Sequence, residues 1–280
     1  MIGKVCLVTG GTSGIGYVTA RELAKQGATV IITARNEEKG KRSVEKLRAE
    51  SGNGEIHALM ADFGSQSQVR DLAEAFKQQF DRLDVLVNNA GAIYLRRTIS
   101  QDGIEMTFAA NHLAPFLLTN LLLDKLIESA PARIVNVASN AHEGRQINFD
   151  DLEGKRNYSF MNAYGQSKLA NILFTYELDR RLPGNEVTVN AVHPGYVGTN
   201  MGANNGWLVR LFLPINRLFA IDVEEGAETV TYVASSPEVE GVSGKYYYQK
   251  RAISSSPLSN DVRSAQKLWA VSAEMTGLQD

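Results

Sequence analysis

Tyr164 and Lys168, one helical turn apart in Tyr164-Gly165-Gln166-Ser167-Lys168, are the residues of this chain best spaced to move a proton. A helix puts positions i and i+4 on one face. A phenol with a pKa of about 10 is a poor acid-base at neutral pH, but an adjacent ammonium favours the phenolate and draws the pKa toward the working range. Tyr164 would then exchange a proton with a carbonyl or alcohol oxygen. The same spacing is common on solvated helix faces, so the pair needs a third group. Ser139 offers one at the end of the run Ile134-Val135-Asn136-Val137-Ala138-Ser139. Its hydroxyl would hold a substrate oxygen in line with the phenol, unless it only ends a strand or caps a helix.

Reduction of a carbonyl also needs a hydride, and the amino-terminal motif Thr9-Gly10-Gly11-Thr12-Ser13-Gly14-Ile15-Gly16 has the form of a dinucleotide cradle. Gly10 permits the tight turn, Gly14 lets backbone approach a pyrophosphate, and Gly16 allows close helix-strand packing, with Thr12, Ser13 and Ile15 on the same loop. In Val30-Ile31-Ile32-Thr33-Ala34-Arg35 the acid that usually accepts ribose hydroxyls is missing. Arg35 stands just past the strand end, placed either to grip a 2′-phosphate or to start a solvated helix. The cofactor expected is therefore NADP(H). Asp62, with Phe63 after it, lies where an adenine amine would come near, or else Asp62 caps the helix that follows. At the end of the next strand, Asn88, Asn89, Ala90 and Gly91 leave room for a flat ligand and their Asn amides can tie neighbouring loops together, or they form an Asx turn.

Short β-branched runs at 5–9, 29–34, 56–61, 85–88, 133–138 and 187–192 alternate with helix-period segments at 14–26, 36–50, 65–80, 103–129 and 163–182. That alternation predicts an α/β fold, a doubly wound (Rossmann) parallel sheet of about seven strands in a single domain over 1–280. After Pro194 it lapses until a last strand at 245–248 and a helix at 261–275. Ligands of open α/β sheets sit beyond the carboxyl ends of the strands. The irregular stretches at 140–162, after Gly91 and after Pro194 should therefore gather on one face.

With 29 Lys+Arg against 31 Asp+Glu in 280 residues the formal charge is −2, so no global field draws the protein to nucleic acid. One cysteine, Cys6, excludes an internal disulfide framework and fits a reducing, cytoplasmic setting. The four histidines, at 57, 112, 142 and 193, are scattered, and no metal is expected. No signal peptide or transmembrane run is evident, so the mature chain is expected to start at Met1.

In their order along nearly the whole chain, these motifs resemble the short-chain dehydrogenase/reductase family: the glycine cradle, Asp62, Asn88-Asn89-Ala90-Gly91, Asn111, Ser139, Tyr164-x-x-x-Lys168, Pro194-Gly195 and Thr199. The resemblance implies a catalytic tetrad of Asn111, Ser139, Tyr164 and Lys168. It implies that Tyr164 and Lys168 also meet the nicotinamide ribose, and that Pro194, Gly195, Val197 and Thr199 fix the carboxamide. Asn111-His112-Leu113-Ala114-Pro115-Phe116, Ser167-Lys168-Leu169-Ala170-Asn171 and His193-Pro194-Gly195 look most like the retinol dehydrogenase branch. So does the gap of 24 residues between Ser139 and Tyr164, against about a dozen in the commoner pattern. The motif Gly11-Thr12-Ser13 departs from that branch's usual Ala-Asn-Thr. Pro115, four residues after Asn111, has no N–H, so the Asn111 carbonyl loses its usual helix partner. We expect it to hold a water on a proton path from Lys168 to solvent.

The chain thus reads as an NADP(H)-dependent oxidoreductase acting on a lipophilic carbonyl or alcohol, retinoid-, steroid- or aldehyde/ketone-like. The rivals are a catalytically idle NADP(H) sensor and a protochlorophyllide reductase-like enzyme. Residues 199–225 are expected to form a substrate lid. Their apolar stretch 207–219, with Arg210 and Arg217, also fits core packing or weak peripheral membrane contact. A homo-oligomer is compatible with the sequence. Tyr94, Arg96, Arg97, His142 and Arg145 either contact substrate or are solvated. Tyr158 reads as a packing aromatic and His193 as a satisfied structural histidine.

Overall fold

The computed structural model describes residues 1–182, 184, 186–195 and 222–278. Buried β-branched runs make the strands β1 (Val5–Val8), β2 (Thr29–Ala34), β3 (Ile56–Met60), β4 (Val85–Asn88), β5 (Ala132–Val137), β6 (Val187–Val192) and β7 (Tyr246–Tyr248). With β8 (Arg251–Ile253) they form one eight-stranded sheet in the order β3-β2-β1-β4-β5-β6-β7-β8. Strands β1 to β7 are parallel, as expected, and β8 returns antiparallel on β7. Strand order reverses between β1 and β4, which opens a crevice beyond their carboxyl ends.

Helices cover both faces, which is why the strands read as continuous apolar runs. The pleat sends Leu7, Ile31, Leu86 and Ile134 to one side, against α3 (Gln66–Gln79), α5 (Ala114–Leu121), α7 (Phe160–Arg181) and α9 (Val262–Thr276). It sends Cys6, Val8, Val30, Ile32 and Val135 to the other, against α1 (Gly14–Lys25), α2 (Glu37–Ser51) and α8 (Val223–Ser235). Helix α8 falls where the sequence pattern lapsed. Its buried Ala227, Val230, Val233 and Ala234 recur at helical spacing behind the extended N-cap Asp222.

The helix expected over 103–129 is broken. It runs as α4 (Met106–Phe108), a π turn over Ala109–Leu113, α5, and α6 (Leu123–Glu128). The π turn sits just ahead of Pro115, whose missing N–H leaves the Asn111 carbonyl without its usual helix partner. Among the described residues no helix is long and apolar enough to cross a membrane.

Two histidines are held neutral by this core. His112, fully buried, meets Asn171 Oδ1 at 3.3 Å and Ser272 Oγ at 2.9 Å, and burial takes its pKa down to about 4. His193 is likewise taken down to about 4 by burial and by His142. Both groups have folded pKa values below the unfolded value of 6.5, so the unfolded chain gains protons first as pH falls. The stability they contribute is present above about pH 6.5 and lost as pH falls through about 4. Denaturant melts across that window should lose on the order of 3 kcal/mol from His112 alone, and His112→Gln should flatten the slope.

Candidate active site

The turn from β1 to α1 is shaped by backbone conformations that only glycine takes without strain. Gly10 and Gly14 have φ of 67° and 60°. A Cβ on Gly16 would lie 2.3 Å from Asn89 Nδ2 and 2.7 Å from Gly10 O, so α1 is drawn hard against the loop after β4. That loop is pinned by two residues outside the expected contact set. Thr9 Oγ1 accepts from the backbone N–H groups of Asn89 and Ala90, each at 2.9 Å, and Asn89 Nδ2 donates to Thr9 O at 2.8 Å. The signal for Asn89 was the doubled asparagine itself, of which the second member does the tying.

Ser13 is the extended N-cap of α1, its side chain makes no capping bond, and the first turn carries no acidic residue. The helix start therefore offers donors and positive potential to an anion, with the exposed Arg35 just past β2. A dinucleotide fits this cradle: glycine where a side chain would fill it, N–H groups for the phosphates, and a guanidinium without a neighbouring strand acid. Asn36, after Arg35, caps α2 by accepting from Lys39 N at 3.0 Å.

Asp62 does not cap α3, since the N-cap is Ser65. The Asp62 carboxylate accepts from Gly64 N at 2.9 Å and remains half-buried at the crevice side of β3. Two residues of the expected cofactor set turn their side chains away from the crevice. Phe63 packs into the core under α3, and Asn88 Nδ2 donates into the sheet interior, to Thr119 Oγ1 and Asn136 Oδ1, both at 2.9 Å. Alternation along β4 turns Asn88 away from the crevice, so these two residues can offer only backbone to a ligand.

Helix α7 presents Tyr164 and Lys168 together, with the Lys168 Nζ 5.6 Å from the Tyr164 ring centroid. Lys168 is buried and donates to Val137 O at 2.9 Å, at the end of β5. Asn111 joins them from the π turn: its Oδ1 accepts from Ala92 N at 2.8 Å, and its Nδ2 donates to Ala92 O at 3.0 Å and Ser167 Oγ at 3.1 Å. Its side chain is thus fully occupied in clamping the loop after β4 to α7. Gly91 lies in the gap, where a Cβ would sit 3.3 Å from Asn111 Oδ1 and 3.7 Å from Lys168 Nζ.

Ser139 caps the short turn Asn140–His142, its Oγ accepting from Ala141 N at 3.2 Å and donating to Asn140 Oδ1 at 3.3 Å, and the same hydroxyl bonds toward the Tyr164 phenol. The electrostatics differ from expectation. Burial pushes Tyr164 up to about 12, with the Ser139 hydroxyl pulling the other way, and burial takes Lys168 down to about 8. Desolvation is the dominant cause, so at neutral pH Tyr164 is a protonated phenol poised to donate.

The loop after β6 carries Pro194 and Gly195, whose φ is 91° and whose N–H donates to His193 Nδ1 at 3.2 Å. His193 stacks on Tyr248 with centroids 4.8 Å apart, a structural histidine as expected. Val197 and Thr199, the stretch 207–219 and most of the segment 199–225 lie outside the described residues. The segment between Ser139 and Tyr164 is tied to the loop after Gly91. Tyr158 Oη donates to Tyr94 O at 2.6 Å, and Arg97 Nε donates to Glu153 O at 2.9 Å. Leu95, Ile99, Phe160 and Met161, in the segments so joined, expose apolar side chains. Arg145 bonds to Asn162, and His142 is fully buried.

A model of the short chain dehydrogenase family matches residues 4–206. The chain is 42% identical over 283 residues to retinol dehydrogenase 13 of Homo sapiens, covering 99% of this chain and 86% of that one. A crystal structure of an uncharacterised protein from Mycobacterium paratuberculosis superposes with a TM-score of 0.80 at 33% identity, covering 99% of this chain and 95% of the other. The RhlG/NADP active-site complex of Pseudomonas aeruginosa gives a TM-score of 0.67 at 29% identity, covering 88% of this chain and 94% of the other.

Proposed function

This chain belongs to the short-chain dehydrogenase family, whose members act on CH–OH groups, and from that premise we propose that it interconverts a lipophilic carbonyl and its alcohol with NADP(H). The observation that carries the reading is the meeting of Tyr164, Lys168 and Ser139 beside a glycine cradle on one crevice. A bound nicotinamide dinucleotide supplies the hydride. The chain's own residues supply the rest. Gly10, Thr12, Ser13, Gly14, Ile15 and Gly16 hold the phosphates, Asp62 meets the adenine, and Ala90, Gly91, Pro194 and Gly195 border the nicotinamide half, with Val197 and Thr199 beyond. Ser139 orients the substrate oxygen and Tyr164 Oη gives it a proton in the reductive direction. Lys168 keeps positive charge beneath the phenol and holds the ribose. The Asn111 carbonyl, at the π turn, continues the proton path through water toward solvent.

Lipophilic substrates are supported by the exposed apolar side chains Leu95, Ile99, Phe160 and Met161, and by the likeness to a retinol dehydrogenase. The segment 199–225 is the proposed lid. The proposed setting is cytoplasmic, consistent with a lone cysteine, Cys6, that is fully buried in β1.

The choice of NADP(H) rests on Arg35, on the absence of an acid along β2, and on the likeness to an NADP complex. A charge-assisted bond to phosphate contributes about 1.5–3 kcal/mol. Arg35→Ala should therefore weaken NADPH binding by about 10- to 100-fold and leave NADH affinity within about twofold. Titration calorimetry with both coenzymes checks this, and tighter NADH than NADPH binding by the wild type would refute the assignment.

A further inference from the structure

We propose that His142 is a positioning residue that holds Ser139 in its working geometry by donating from its ring to the Ser139 carbonyl, in the tautomer that the Ser256 N–H enforces. The proposal rests on the reading of Ser139 as the group that orients the substrate oxygen.

His142 is fully buried. Its Nδ1 lies 2.7 Å from Ser139 O, and its Nε2 accepts the Ser256 N–H at 3.1 Å. An amide N–H can only donate, so Nε2 is the unprotonated nitrogen, and Nδ1 carries the hydrogen given to Ser139 O. The imidazole is therefore neutral and in one tautomer. Its plane is set by Tyr246 of β7, edge-on at 5.3 Å.

The anchor matters because the sheet stops holding this backbone just before it is needed. The last strand bond of this run is Ala138 N to Val192 O at 2.8 Å. Past it, the Ser139 carbonyl is held by the His142 backbone N–H, at 3.3 Å, and by the shorter bond from the ring. On the far side, Ser256 leads into the turn Pro257–Asn260, and its neighbour Ser255 bonds Tyr176 Oη of α7 at 2.8 Å. The ring thus closes a bridge from the end of β5 to a segment itself fastened to the helix that carries Tyr164. Displacing a reacting group by about 1 Å costs about 100-fold in rate, so a bond that fixes Ser139 by tenths of an ångström is worth about tenfold.

Three variants separate positioning from bulk stability. His142→Phe keeps a ring and loses both bonds. His142→Asn keeps a donor within reach of Ser139 O and loses the acceptor for Ser256. His142→Gln reaches toward Ser256 and gives up the near donor. With NADPH and a carbonyl that the wild type reduces, kcat should fall about tenfold in His142→Phe and His142→Gln at unchanged NADPH affinity. His142→Asn should recover most of kcat, although all three lose stability. Nitrogen-15 spectra of the imidazole in the resting protein should show Nδ1 protonated and Nε2 bare. Protonated Nε2, or equal kcat losses in the Asn and Phe variants, would overturn the proposal. A wild type that is active and loses turnover on Tyr164→Phe, while His142→Phe keeps its kcat, overturns this proposal alone. A wild type that binds NADPH and reduces no carbonyl overturns the parent reading as well.

Discussion

Tyr164→Phe is expected to lower kcat by about 100- to 10,000-fold while leaving NADPH affinity within about twofold, because it deletes the proton donor and little else. Burial pushes the Tyr164 phenol up to about 12, so the wild-type side chain is protonated throughout the neutral range. Phenylalanine keeps the ring that packs beside Lys168 and removes one hydroxyl that bonds toward Ser139. Loss of such a half-buried bond costs about 1 kcal/mol, so the variant should remain folded and load coenzyme. Fluorescence titration with NADPH beside steady-state reduction of a good substrate separates the two effects. A matching fall in affinity would mean that Tyr164 serves binding rather than proton transfer.

Lys168→Met is expected to do the opposite to stability and the same to turnover. Lys168 is buried and its pKa is taken down to about 8, below its ordinary 10.5. Below about pH 8 the fold therefore carries the full cost of a desolvated ammonium, and that cost is relieved as pH rises toward 10.5. A shift of this size corresponds to about 3 kcal/mol, offset in part by the bond from Nζ to Val137 O, which contributes about 1 kcal/mol. Methionine fills similar space without charge, so the variant should be more stable by about 1–2 kcal/mol at pH 7 and lose at least about 100-fold in kcat. Its stability should also stop rising between about pH 8 and 10.5, where the wild type gains. Chemical denaturation at the two ends of that window checks the sign. A variant less stable than wild type at pH 7 would show that the ammonium is better compensated than its burial indicates.

Much of this architecture was legible in residue order because buried parallel strands leave unmistakable β-branched runs. The run at 187–192 coincides with β6, and Asn36 marks the start of α2 as its cap. What escaped had weak or borrowed signals. Strand β8 is three exposed residues after a turn at Gln249 and Lys250, both with positive φ and neither a glycine, so no hairpin dipeptide announces it. Helix α8 was hidden by the irregular stretch before it, although its apolar positions fall at helical spacing. The π turn needed tertiary context beyond the presence of Pro115.

At the site, residue type and spacing singled out Tyr164, Lys168 and Ser139, the family resemblance added Asn111, and the structure brings the four together, while side-chain direction did not follow from the sequence. Phe63 and Asn88 face the core, and Asn89 and Thr9 tie the loops instead. The Tyr164 pKa moved against the expectation for a similar reason. Proximity of a cation is readable from spacing, but the desolvation that opposes it depends on everything packed around the phenol.

We propose, above all, that this crevice uses NADPH to reduce a lipophilic carbonyl through Tyr164. The most direct measurement follows the absorbance of reduced nicotinamide as purified protein is given retinoid, steroid and simple aliphatic aldehydes and ketones, with NADPH and with NADH. The account predicts NADPH oxidation that is fastest with apolar carbonyls and stoichiometric with alcohol formed. NADPH that binds tightly yet stays reduced with every one of these carbonyls would contradict it and leave an idle nucleotide sensor.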